Sequence, residues 1–254
     1  GSEMCIRDRD DCDEQGRCLK HAVAQRAAEA MQGAEHAVLK KLKTERMREA
    51  PPLLFDLGTL QQVCSKKLGL GAQETLDIAQ KLYETDKLIT YPRSDCGYLP
   101  LSQHAEAPAI LAALGHADPA LREVLAHTQA GRRSRAWNDA KVSAHHGIIP
   151  TLAAAGLARL SGRPRAVYEL IRARYLAQFL PNHEYDRTQA DFDCAGHDLR
   201  AVGKQIVDPG WKRALPEALA PARGREMPAP QPLPALREGQ QYAVREVALK
   251  DQFT

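Results

Sequence analysis

The sequence predicts an α+β protein, with a helical middle and a β-hairpin in its C-terminal part. Apolar residues recur at helical spacing in several segments between Leu57 and Phe179. From Tyr185 the period changes to two, as a half-buried strand requires. Prolines at Pro51, Pro52 and Pro181, and six more between Pro216 and Pro234, separate these regions. A length of 254 residues suits one large domain or two small ones.

The elements follow in order. Residues 1–10 open with Gly1-Ser2, which reads as a cloning scar, and continue without periodicity, so they are expected to be a foreign leader. From Asp10 to Ala50 the chain is polar with a weak helical tendency. Ala27, Met31, Ala34 and Val38 form one possible face, and Lys40 to Arg48 fits a helix or a strand. After Pro51-Pro52, Asp56 suits an N-cap, because its carboxylate accepts from the free amides of a first helical turn. Leu57, Leu60, Val63, Cys64 and Leu68 then share a face, and Gly69 and Gly71 end that helix. A second helix is expected over Ala72–Thr85, with Leu76, Ala79 and Leu82 inward. Two short helices joined by a glycine turn make either a helix-turn-helix unit or an ordinary helical hairpin.

Leu88-Ile89-Thr90-Tyr91 is a β-prone run stopped by Pro92. Helices are expected near Ser102–Leu114 and Pro119–His127, followed by a basic loop from Ala130 to Ala136. Val167, Leu170, Ile171, Tyr175 and Phe179 mark one face of a helix over Arg165–Phe179, which Pro181 stops. Tyr185 to Cys194 and Leu199 to Val202 pair as a hairpin about Ala195-Gly196-His197-Asp198. Pro216 to Pro234 reads as a loop or linker, and the last twenty residues as two short strands.

Hydrophobic residues make up 44 % and charged residues 26 %, a soluble globular balance. The net charge of +3 does not by itself announce a nucleic-acid partner. Two local clusters do more: Arg132, Arg133 and Arg135, and then Arg163, Arg165, Arg172 and Arg174. Each is either a patch that draws a polyanion or a solvated charged face. The six cysteines form no C-x-x-C pair and read as free thiols of a cytoplasmic protein. No stretch has the length of a transmembrane helix.

Two segments carry possible chemistry. One is Leu88 to Pro100, where Tyr91 is followed by Pro92 and Arg93. A phenol is a weak nucleophile, with a pKa of about 10. A guanidinium favours the phenolate and also matches phosphate oxygens bidentately. The other is Asp139 to Thr151, with Lys141, His145 and His146, where an imidazole can hydrogen-bond a phosphate oxygen or move a proton. On the residues alone, a tyrosine at a strand end is usually structural. Phosphoryl transfer is permitted here and not demanded.

Leu88 to Pro100, containing Thr90-Tyr91-Pro92-Arg93-Ser94-Asp95, resembles the active-site segment of type IA DNA topoisomerases, and Cys96 to Pro100 resembles the bacterial topoisomerase III branch. Ala144-His145-His146-Gly147-Ile148-Ile149-Pro150-Thr151 is similar to the family's second motif, with Gly147 where alanine is usual. Pro52 to Leu60, Leu82-Tyr83-Glu84 and Trp137-Asn138-Asp139 fit in the same order. The resemblance implies that Tyr91 cleaves single-stranded DNA through a 5′-phosphotyrosine link. Strand passage, relaxation or decatenation then proceed without ATP. It implies catalytic roles for Tyr91, Arg93 and His145. Lys141 becomes a backbone-phosphate contact, either His145 or His146 faces the scissile phosphate, and His146, Ser94 and Asp95 join the DNA-binding set, the last two shaping the loop.

It also implies Mg2+, bound by a Toprim domain whose acidic motif this sequence does not supply. Asp8, Asp10, Asp11 and Asp13 lack the flanking strands of such a site, and no metal ligand is expected here. The implied partition is a first part of a β-rich arch over 11–50 and a winged-helix-like tyrosine domain over 51–164. A helix and the second part of the arch would follow over 165–254. The implied partners are single-stranded DNA and the rest of the chain's own polypeptide, with no membrane. The alternative is a single-stranded DNA-binding module without activity of its own.

Overall fold

The computed structural model describes residues 5–6, 20–142, 144–216 and 231–249. They form two compact units. The first gathers described residues of 1–47, 184–207 and 223–254; the second gathers those of 48–183 and 208–222.

The first unit is a five-stranded sheet with one helix. Its strands are β1 (Cys5–Ile6), β2 (His36–Glu49), β3 (His183–Cys194), β4 (His197–Asp208) and β5 (Gln241–Ala243), in the order β1-β4-β3-β2-β5. The helix is α1 (His21–Gln32). The expected period of two is visible in β3, where Ala190, Phe192 and Cys194 are buried in alternation. They pack with Leu39 of β2, Leu199 and Ala201 of β4, and Ala27 and Met31 of α1. Beyond Leu39, β2 has too few apolar side chains to bury. Polar and ionic contacts tie it to β3 instead: Lys40 pairs with Asp193 at 2.7 Å, and Thr44 meets Thr188 at 3.0 Å. The charged run Lys40–Arg48 is therefore a strand.

The β3–β4 turn is tight. Ala195 has φ 52° and Gly196 φ 81°, two left-handed residues in succession, as a two-residue hairpin whose twist matches its strands requires. Within the expected foreign leader, Cys5 pairs with Arg200 and Ile6 with Leu199. Of the two terminal strands expected, β5 lies among the described residues, paired with β2 from His36 to Val38. Asp8, Asp10, Asp11, Asp13 and most of the proline-rich stretch lie outside the described residues.

The second unit is helical. It comprises α2 (Leu57–Leu68), α3 (Ala72–Glu84), α4 (Ala107–Ala117), α5 (Arg122–Ala126) and α6 (Gly162–Ala177). Asp56 caps α2 as expected, and Thr59 completes a capping box: Thr59 N donates to Asp56 Oδ1 at 2.6 Å, and Asp56 N donates to Thr59 Oγ1 at 3.2 Å. Gly69 closes α2 in the left-handed region at φ 66°. The helix expected near Ser102–Leu114 begins as a 3-10 turn over Leu101–Glu106, and α4 follows with Pro108 in its first turn.

The expected apolar face of α6 is buried, and burial extends well beyond it. The helix is buried on nearly every side, through Val167, Tyr168, Leu170, Ile171, Arg172, Ala173, Tyr175, Leu176 and Ala177, because α2, α3 and the 3-10 turn Gly210–Ala214 all pack on it. It lies in the second unit, which runs on through His183. The turn at 210–214 returns to the same unit through Trp211, whose Nε1 donates to the Glu49 carbonyl at 3.0 Å.

Three arginines of the α6 region, Arg165, Arg172 and Arg174, fasten the unit from within, and Arg163 makes an exposed pair. Arg172 donates to Asp118 Oδ2 at 2.6 Å, and Arg165 donates to the same oxygen at 3.0 Å. Arg174 donates to the Leu53 carbonyl at 2.8 Å and covers the Phe55 ring at 4.2 Å. Arg163 pairs with Glu74 at 2.6 Å. Each arginine of this cluster is thus paired within the unit.

Candidate active site

The two chemistry-bearing segments lie side by side. Leu88–Tyr91 does not become a long strand, because Pro92 ends the run. It forms a bridge, Ile89 opposite Pro150, with Thr90 N donating to the Ile149 carbonyl at 2.9 Å and Thr151 N to the Leu88 carbonyl at 3.0 Å. Thr90 Oγ1 also accepts from Ile149 N at 3.0 Å. Phe55 bridges Ile148, and Gly147 N donates to the Tyr98 carbonyl at 2.8 Å. Leu88, Ile89, Ile148 and Ile149 sit in the core beneath. Buried backbone amides need partners, and here each segment supplies the other's.

This pairing leaves Tyr91 at the surface, 38 % exposed. Its ring stacks on His145 with centroids 4.8 Å apart and planes at 28°. Tyr83, on the last turn of α3, meets it edge-on at 5.8 Å. Arg93 is exposed, and with the Gln80 carboxamide oxygen facing it, that oxygen accepts from Arg93 Nη2 at 2.9 Å and Nε at 3.3 Å. Gln80 and Tyr83 lie three apart on α3 and thus face the tyrosine segment together. Neither was singled out for chemistry from the sequence.

His146 turns away from the Tyr91 ring. Its Nδ1 lies 2.8 Å from the Gly147 carbonyl, which only accepts, so Nδ1 carries the proton. Nε2 then accepts from Gln103 Nε2 at 2.9 Å. Ser94 is buried, its Oγ accepting from Cys96 N at 3.1 Å, while its carbonyl accepts from Leu57 N at 2.9 Å. Asp95 is exposed. Lys141 is exposed too, with Nζ 5.5 Å from the centre of the Tyr98 ring, and its carbonyl accepts from Cys96 Sγ at 3.4 Å. The structure thus brings Tyr91 and His145 together, puts Arg93 and Gln80 beside them, and turns Ser94 and His146 into supports.

A matched family covers residues 3–254 of the chain and is described as DNA topoisomerase. This chain belongs to the type IA DNA topoisomerase family. DNA topoisomerase 3 of Vibrio cholerae is 38 % identical over 211 residues, covering 83 % of this chain and 32 % of that protein. DNA topoisomerase 3 of Bacillus subtilis is 35 % identical over 250 residues, covering 95 % of this chain and 33 % of its own length. Full-length topoisomerase I from Thermotoga maritima shares the fold, with TM-score 0.62 at 19 % identity over 96 % of this chain and 39 % of that one. The chain spans about a third of the length of these DNA topoisomerase 3 relatives. Among its described residues no helix is long and apolar enough to cross a membrane.

Proposed function

We propose that this chain is the tyrosine-bearing part of a topoisomerase III that cleaves and reseals single-stranded DNA. The observation that carries the reading is the Tyr91–His145 stack at 4.8 Å, which joins one residue from each family motif at an exposed surface. Tyr91 Oη attacks a backbone phosphorus. The Oη–P bond forms as the bond from phosphorus to the 3′ oxygen breaks. The phenolic proton departs, and the 3′ oxygen gains one to become a hydroxyl. The tyrosyl ester keeps the energy of the phosphodiester, so reversal reseals the strand without ATP.

Arg93 offers the phosphate its outward N–H groups while Gln80 holds its inward edge. A guanidinium so fixed stabilises charge that develops on the phosphoryl oxygens. His145, on the face of the nucleophile's ring, hydrogen-bonds a phosphate oxygen or takes the phenolic proton. Lys141 contacts a neighbouring phosphate. Asp95 shapes the loop beside it, and Ser94 and His146 hold the two segments in register.

Magnesium enters as a partner of the rest of the polypeptide. Among the described residues no three or more His, Cys, Asp or Glu converge as a metal site, so these residues by themselves do not fit the ion. A Toprim domain elsewhere in the same polypeptide supplies it in this reading. The buried free thiols Cys64, Cys96 and Cys194 suit a reducing cytoplasm.

The test is covalent trapping. This chain, magnesium, a separately made Toprim domain from a relative and single-stranded DNA labelled at its 3′ end are mixed and run on a denaturing gel. Label travels with the wild-type chain and not with Tyr91→Phe. DNA binding without any adduct, although the added domain docks, would leave only the binding-module reading.

A further inference from the structure

We infer that the loop Gly131–Ala136 is a second phosphate-binding place, where the DNA strand held at Tyr91 lays its backbone on Arg133 and Arg135. The inference rests on the reading above and adds a binding site to it.

Two arginine clusters behave oppositely. The α6 arginines are committed to Asp118, Glu74, Glu169 and the Leu53 carbonyl. Arg133 and Arg135 are exposed and form no ion pair with any carboxylate among the described residues. Their charge is available to a polyanion.

The loop that presents them is held from within. Exposure alternates along it: Arg133 and Arg135 face out, Arg132 and Ser134 are half-buried, and Ala136 is buried. Ser134 Oγ donates to Gln178 Oε1 at 2.6 Å and accepts from Ala136 N at 3.1 Å. Gln178, itself buried, donates to the Pro52 carbonyl at 2.8 Å. His104 Nε2 donates to the Arg132 carbonyl at 3.1 Å, and the His104 ring stands edge-on to Trp137 at 4.7 Å. A solvated charged loop needs none of these anchors. A binding loop benefits from them, because fixed backbone reduces the ordering cost when a ligand arrives.

The loop also leads straight to the site. The Ala136 carbonyl accepts from Leu99 N at 2.8 Å, and Asn138 N donates to the Leu99 carbonyl at 2.9 Å, so Trp137 lies against the end of the tyrosine segment. The chain then runs through Lys141, above Tyr98, to Gly147 beside the Tyr98 carbonyl and His145 on Tyr91. In this inference a strand whose scissile phosphate sits between Tyr91 and Arg93 runs past Lys141 and on to the arginine loop. Phosphate contacts of this kind fix register and carry no base information.

The experiment measures binding of a fluorescent single-stranded oligonucleotide to this chain across a salt series. It compares wild type with Arg133→Ser/Arg135→Ser and with the control Lys66→Ser/Lys67→Ser. The control removes the same charge from the exposed last turn of α2. For single strands each lost phosphate contact flattens the slope of log affinity against log salt by about 0.7. The loop variant is expected to flatten it by about 1.4 and the control by far less, with melting unchanged in both. An unchanged slope in the loop variant, or an equal fall in the control, overturns the proposal. Adduct formation is scored separately with Tyr91→Phe. A flattened slope without any adduct would retain the loop and reject the cleavage reading. An adduct with an unchanged slope would do the reverse.

Discussion

Gly147 lies so close to Leu54 that a Cβ added to it would stand 2.7 Å from Leu54 Cβ and 3.1 Å from Leu54 Cδ1. The second motif of the family usually has alanine here, so in this chain the space of that methyl is taken by Leu54. The nearest atom is a Cβ, which no rotamer change can move. Gly147→Ala must therefore shift backbone, at a cost of about 1–3 kcal/mol. The Gly147 carbonyl receives His146 Nδ1 at 2.8 Å, so the shift would reach the site. A lowered urea midpoint together with slower adduct formation is expected. An unchanged midpoint would show that the contact relaxes freely.

Asp118 makes the second unit sensitive to acid. Burial raises its carboxyl, but the hydrogen bond and charge of Arg172, with help from the Ala120 amide and Arg165, hold it below the usual carboxylate value. A folded value below the unfolded one, about 3.9, gives stability that is fully present above the unfolded value. It is lost as pH falls through the folded value. Asp118→Ala leaves the Arg172 side chain, only 8 % exposed, with the Glu169 carboxylate at 3.9 Å as its remaining ion-pair partner, and should cost about 3 kcal/mol at neutral pH. Urea midpoints measured from neutral to acid pH should converge for variant and wild type. Parallel curves would count against this assignment.

Ala195 occupies a left-handed conformation that an L side chain with a Cβ adopts at a cost of about 1 kcal/mol. Asparagine followed by glycine is the preferred pair for such a turn, and Gly196 already fills the second place. The substitution Ala195→Asn should therefore stabilise the sheet unit by about 1 kcal/mol, read as slower amide exchange in β3 and β4. No change would mean the turn relaxes out of that conformation in solution.

Gln80 holds the inward edge of Arg93 without neutralising it, because an amide oxygen carries no net charge. Gln80→Ala should slow adduct formation by about fivefold at saturating DNA, the effect of one net hydrogen bond of about 1 kcal/mol. Gln80→Glu should also slow it, because a carboxylate competes with the phosphate for the guanidinium. Equal rates in all three proteins would remove Gln80 from the site.

Much of this was legible in the residues. The Asp56 cap, the Gly69 stop and the alternation through Ala190, Phe192 and Cys194 are local signals, and the structure follows them. The Tyr91 and His145 motifs were visible, but their contact was not, because the bridge between Ile89 and Pro150 joins segments far apart in sequence. Charge was the least informative pattern. Arg163 to Arg174 and Arg132 to Arg135 read alike as sequence, yet only folding brings Asp118 and Glu74 to the first cluster. The wider burial of α6 was not legible, because a helix buried on nearly every side still shows a strongest face in its sequence. The short strand Cys5–Ile6 has no periodicity to detect.

The central claim is that Tyr91 is the nucleophile, and mapping the adduct tests it most directly. After trapping, nuclease digestion and trypsin cleavage, the three nearby tyrosines fall in separate peptides. Tyr83 lies in Leu82–Lys87, Tyr91 in Leu88–Arg93 and Tyr98 in Ser94–Arg122. The account predicts a residual 5′-phosphonucleotide mass on Leu88–Arg93 alone. The same mass on Leu82–Lys87 or Ser94–Arg122, with Leu88–Arg93 unmodified, would contradict it.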